Sequence, residues 1–227
     1  MKLLSLPRES GVYGVWLASL LFALPNLVEA ELYKVLSGLS ASILALLTLN
    51  YVRYSGGGLR ILVVLVVAGL YTPIILDSIP YSLMVAVLAV PLLVLSLKGT
   101  LTGIVAGGGL IAFHGSLLYL AGSEGLIAFL PGLYGLFATS QAGVRVGGRR
   151  LGVTLFEALS LAGLAGLSAW ILVYASRTAG LILLLDIILR VVGEFLGVHS
   201  RLPLKAYGFL EFARSSTVMA VTGFMLS

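Results

Sequence analysis

The sequence predicts an all-α fold: a polytopic membrane helix bundle of nine transmembrane helices in one domain, residues 1–227, with the N-terminus cytoplasmic and the C-terminus outside. Three observations predict it. Hydrophobic residues make up 59% of the 227-residue chain and charged residues only 10%, with a mean hydropathy of +1.12. Soluble domains run at about 45–50% apolar and about 25% charged. The apolar residues fall into runs near the ~20 residues that a crossing needs, and the basic residues between those runs favour every second connection.

Each run is bounded by charges or turn residues. Gly11–Val28 follows Lys2 and Arg8 and stops at Glu29; without a small-residue cleavage site after it, it reads as a retained span and not a signal peptide. Val35–Val52 lies between Lys34 and Arg53. Ile61–Leu76 and Pro80–Leu97 flank Asp77 and contain Pro73 and Pro91, residues that kink or end a helix. Leu101–Ala121 stops before Gly122 and Glu124, and Leu126–Val144 stops at Arg145. Leu151–Ala175 runs from Arg150 to Arg177, followed by Ala179–Gly197 and Leu204–Leu226.

One side of this arrangement collects Lys2, Arg8, Arg53, Arg60, Lys98, Arg145, Arg149, Arg150, Arg201 and Lys205. The other holds Glu29, Glu31, Lys34, Asp77, Glu124 and Arg177. Ten basic residues against two fixes the orientation by the positive-inside rule and implies a multi-pass protein of the cell membrane. The same rule absorbs the net charge of +5, so no nucleic-acid partner is implied. There is no cysteine, hence no disulfide or thiolate metal site. Asn is limited to two positions and Gln to one, a thermophile-like scarcity that a lipid-facing composition also produces.

The last two spans carry the unusual chemistry. Charges at membrane depth are costly, so they pair, face the interior and mark function by default. Asp186, Arg190 and Glu194 recur every four residues on one helix face, and Glu211 and Arg214 share another. Counting from Gly197 and Leu204, Arg190 and Glu211 both lie roughly 10 Å deep, and Asp186 and Arg214 roughly 15–17 Å deep. Two interhelical ion pairs are therefore expected, Arg190 with Glu211 and Asp186 with Arg214. Glu157 on the seventh span matches the lower depth. Either these pairs only fix helix register, or they belong to a polar cavity open to the cytoplasm. Four acids against two buried arginines leave carboxylates over for a ligand or for protons.

Two cytoplasmic loops, Leu49–Arg60 and Thr139–Gly152, are glycine-rich and basic. Either they are connectors or they bind an anionic head group through Asn50, Arg53, Gln141, Arg145 and Arg149. With Glu157, Arg190 and Glu211 these are the candidate ligand-binding residues, in a cavity expected between spans two, six, seven, eight and nine. Small residues at Gly103 and Gly107, at Ala158, Ala162 and Gly166, and at Gly193 and Gly197 read as helix-packing positions. His114 in the fifth span reads as a hydrogen-bonded structural histidine, since His199 lies in a loop and supplies no second haem ligand. No zinc, Walker or Ser-His-Asp pattern is present, so no metal and no cofactor is expected.

Two ends of the chain resemble the YwiC-like family of membrane proteins. Leu6–Trp16, with Pro7 and Gly11, is similar to that family's opening Pro-x-x-His-Gly-Ala-Trp element, with Ser10 where the family has His. Arg190 and then Lys205, Gly208 and Glu211 resemble its closing Arg, Lys-x-x-Gly-x-x-Glu pattern. The nine-span plan with cytoplasmic loops after spans two and six also resembles UbiA-type prenyltransferases. That resemblance implies the fold, but the magnesium-binding aspartates are missing: Asn50 is followed by Tyr51, Val52 and Arg53, and the second loop offers Gln141, Arg145, Arg149 and Arg150. The usual enzyme chemistry is not implied. The expected function is binding of an amphipathic anionic or lipid-like molecule, such as a lipid, isoprenoid or quinone-like compound. The alternatives are an auxiliary or anchor subunit with membrane-complex partners, and a proton-coupled transporter, which lacks the inverted repeat common in that class.

Overall fold

The computed structural model describes residues 10–54, 58–98, 100–148, 150–197 and 202–227, and among them it is helical with no strand. The helices are α1 (Ser10–Leu27), α2 (Leu32–Tyr54), α3 (Gly58–Leu70), α4 (Thr72–Asp77), α5 (Ile79–Ser96), α6 (Leu101–Tyr119), α7 (Leu130–Gly147), α8 (Leu151–Tyr174), α9 (Arg177–Phe195) and α10 (Leu204–Leu226), with a 3-10 turn at Leu126–Phe129. The third apolar run is split: Pro73 opens α4, where its missing N–H is harmless, and the preceding turn breaks off α3. Pro91 stays inside α5.

Among the described residues five segments are long and apolar enough to cross a membrane: Leu32–Tyr54, Ile79–Ser96, Leu101–Tyr119, Leu126–Gly147 and Leu151–Tyr174. Shorter apolar helices span Gly11–Leu27 and Gly58–Leu70. α9 and α10 have the length, 19 and 23 residues, but carry the charges described below.

α6 is the hub, with 14 of its 19 residues buried, and it packs against α1, α2, α5 and α7. In lipid, close backbone approach replaces hydrophobic collapse as the source of packing energy, and glycine allows it here. Gly109 faces Leu136, Gly132 faces Phe113 and Gly135 faces Ala112 across the α6–α7 contact. Gly115 lies against the Ser19 backbone of α1, and Gly223 of α10 against the Phe22 backbone. None of these five is among the expected packing sites, of which Gly103 lies against the Leu95 and Lys98 carbonyls and Gly107 against Arg53. Gly166 has no atom within 4 Å of where a side chain would begin, and Gly197 has φ 64, ending α9 in the left-handed region that favours glycine.

Connections gather at two ends. At one, Lys34 pairs with Glu31 and Asp77, Ser78 donates to Glu124 at 2.8 Å, and Gly122 meets the Asn26 backbone. At the other, Gly147 meets Leu101, Gly152 meets Thr102, and the Arg145 guanidinium donates to the Leu202 carbonyl.

Candidate functional site

Arg190 is the largest fully buried side chain described, at 0% exposure. A guanidinium has five N–H groups and no acceptor, so burial demands five acceptors. It has them. Nε donates to Asp186 Oδ2 at 3.0 Å, one turn back on α9. Nη1 donates to Glu211 of α10 and, at 3.5 Å, to Gln141 Oε1 of α7. Nη2 donates to Tyr134 Oη at 2.6 Å and Ser215 Oγ at 3.0 Å, and the cation lies 4.9 Å from the Tyr134 ring centre.

Arg214 closes the second rung. Its Nε donates to Asp186 Oδ1 at 2.5 Å and its Nη2 to the Asp186 carbonyl at 2.6 Å. Tyr134 also donates to Asp186 Oδ2 at 2.8 Å, so both carboxylate oxygens are occupied. Arg214 Nη1 lies 3.8 Å from Glu211. The two rungs are thus knitted into one network, because Arg190 and Asp186 are also i, i+4 neighbours on α9. Gln141 Nε2 extends it to Glu194 at 3.4 Å.

Beside this network lies a cavity of about 380 Å³ with mainly apolar walls. It sits between the starts of α1, α6 and α10 and the end of α7, and Tyr207, Glu211 and Ser215 give it a polar strip. These three recur every four residues and so share one face of α10. Its walls differ from the expectation: spans one, five, six and nine line it, whereas spans two, seven and eight do not. The α6–α7 glycines draw those helices together, which leaves the space on the α1 and α10 side.

The remaining candidates separate into two groups. Arg145 stacks on Tyr207, 4.1 Å from its ring centre; Tyr207 lines the cavity and Arg145 itself does not. Its Nη1 is buried with no hydrogen-bond partner among the described residues. Asn50 and Arg53 do not line the cavity. Both are buried on α2, Arg53 at 3% exposure with its guanidinium against Gly107, where only a glycine leaves room. Glu157 is half-buried on α8, and its carbonyl accepts from Ser160. Arg149 lies outside the described residues, as do Pro7, His199 and Arg201; the side chains of Ser10 and Lys205 do too. Among the described residues no group of three or more His, Cys, Asp or Glu is placed to hold a metal ion.

Sequence reasoning missed Tyr134, Tyr207 and Ser215. A signal was present, since Tyr134, Gln141 and Arg145 are spaced by seven and four residues and form one polar stripe on α7. Comparison with family models, with curated proteins and with solved structures finds no match to this chain.

Proposed function

We propose that the protein binds an amphipathic, lipid-like molecule in the cavity between α1, α6, α7 and α10, with the ligand's polar head at Tyr207, Glu211 and Ser215 and any anionic group turned toward Arg145, which stacks on Tyr207. The carrying observation is the cavity's composition. It has about 380 Å³ of mainly apolar space, within the several-hundred-Å³ range of small-molecule sites, and one polar strip backed by a fixed cation. Arg190 has every N–H occupied, so its part is to hold Glu211 in place and not to touch the ligand. Arg145, stacked on Tyr207 behind that strip, supplies positive charge for a carboxylate or phosphate.

Nine crossings with a cytoplasmic N-terminus and an outside C-terminus in the cell membrane belong to the same reading. The grouping of Lys34, Asp77 and Glu124 at one end, and of Arg145 near the α9–α10 connection at the other, supports it. The cavity would then face the cytoplasm. In the YwiC-like resemblance the matching positions are Arg190 and Glu211, which are ion-paired here, and Gly208, which lines the cavity.

Native mass spectrometry of protein extracted in mild detergent tests this reading. The expected spectrum carries a co-purifying lipid or isoprenoid that is reduced several-fold in Glu211→Gln and in Arg145→Gln. A ligand-free spectrum with a stoichiometric protein partner would replace this reading with that of an auxiliary subunit.

A further inference from the structure

A second cavity, of about 170 Å³, lies on another side of α6 among α2, α3, α5 and α6. Its lining is apolar except for Thr48, Tyr71, Ser96 and His114. Thr48 and Ser96 donate to the carbonyls of Leu44 and Leu93 on their own helices. His114 is 8% exposed, and its Nδ1 lies 2.8 Å from the Tyr71 hydroxyl with the two rings stacked at 5.5 Å. Nε2 has no partner among the described residues.

Tyr71 is a phenol with one proton to place, and the acceptor 2.8 Å from its hydroxyl is His114 Nδ1. We assign the bond accordingly, with Tyr71 donating to His114 Nδ1. A neutral imidazole that accepts at Nδ1 carries its proton on Nε2. The result is a fixed N–H donor in a mainly apolar cavity. An N–H on a mainly apolar wall is completed by a ligand that brings an acceptor.

We infer that this cavity binds a single six-membered carbonyl ring, a lipid-soluble quinone, whose oxygen accepts from His114 Nε2. An apolar cavity of about 150 Å³ admits one benzene ring, so 170 Å³ fits one ring and little more. Entry is from the bilayer, because α3, which has no buried residue, forms the outer wall with Val63, Val64 and Val67. The inference is independent of the site on α10, and neither reading falls with the other.

The test is binding of 2,5-dimethyl-1,4-benzoquinone to the full chain in nanodiscs, measured by equilibrium dialysis against empty nanodiscs. Para-xylene is the control ring without an acceptor, and 2,5-dimethylphenol the ring with a donor. The absence of cysteine removes thiol addition as a side reaction. The quinone is expected to bind at least about tenfold more tightly than xylene, and His114→Phe to abolish that preference while xylene binding persists. Ala45→Phe, which fills the cavity, is expected to remove both. Equal affinity for quinone and xylene, a preference for the phenol over the quinone, or a quinone preference surviving in His114→Phe would each overturn the inference. The comparison of three rings on the unaltered protein decides it even if the His114 variant does not fold.

Discussion

Replacing Arg190 with methionine keeps much of the side-chain volume and removes the cation that joins three helices. Asp186, 5% exposed, keeps Arg214 and Tyr134. Glu211, 16% exposed, is left with Arg214 at 3.8 Å. The loss is then dominated by a stranded carboxylate, and breaking a buried pair from one side costs about 3–5 kcal/mol. Glu211→Gln is milder, because an amide oxygen still accepts from Nη1, and the expected cost is about 1–3 kcal/mol. In the double variant no charge is stranded at position 211. Its cost should fall short of the sum of the two single costs by about 1–3 kcal/mol. Reversible unfolding in mixed micelles, followed by far-ultraviolet circular dichroism, gives all three values. A cost below about 1 kcal/mol for Arg190→Met, or strict additivity in the cycle, would refute the network as a cooperative buried unit.

Glycine contacts give a matched pair. Gly115→Ala places a methyl group 2.7 Å from the Ser19 carbonyl oxygen of α1, so the helices must part, with an expected cost of about 1–3 kcal/mol by the same unfolding assay. Gly166→Ala meets nothing within 4 Å and should be neutral or stabilise by up to about 1 kcal/mol through helix propensity. At the opposite end, the Lys34 hydrogen bond holds the Glu31 carboxyl below the ordinary glutamate value of 4.5. A lowered folded value gives stability that is present above 4.5 and lost as pH falls through the folded value. The stability difference between the unaltered protein and Lys34→Gln should therefore be constant near neutrality and shrink in acid; a pH-independent difference would exclude a role for this carboxylate.

What the sequence disclosed, and what it hid, has a common physical basis. Helical spacing and helix rise are one-dimensional rules, so the equal depths of Arg190 with Glu211 and of Asp186 with Arg214 can be counted from helix ends. Which faces meet is set by small residues and shape, and this is where expectation and structure part. Gly107 and Gly166 look alike in the chain, yet one accommodates the Arg53 guanidinium and the other meets no neighbour. Arg53 obeys the charge rule at the end of α2 and is still buried, because the vacancy that admits it belongs to α6. Tyr134 and Ser215 resemble ordinary membrane-span residues. Their roles become visible only when a cation with five donors has to be answered from three helices.

The same donor count separates the two arginines nearest the cavity. Arg190 cannot turn toward a ligand without giving up its bonds to Asp186, Glu211 or Tyr134, and Glu211 would then be left with Arg214 at 3.8 Å. Its saturation makes it a fixture, and what it fixes is the Glu211 carboxylate on the cavity wall. Arg145 is the opposite case. It is held by the Tyr207 ring and one carbonyl, and its buried Nη1 still lacks an acceptor. In the proposed reading that unanswered donor, held behind Tyr207 and not itself on the cavity wall, is what a head-group oxygen would complete, whereas a fully answered one is part of the scaffold. In the proposed reading Asp186, Arg190 and Arg214 belong to the frame, Glu211 is the carboxylate that this frame holds on the cavity wall, and recognition of an anionic head would fall to Arg145 of α7.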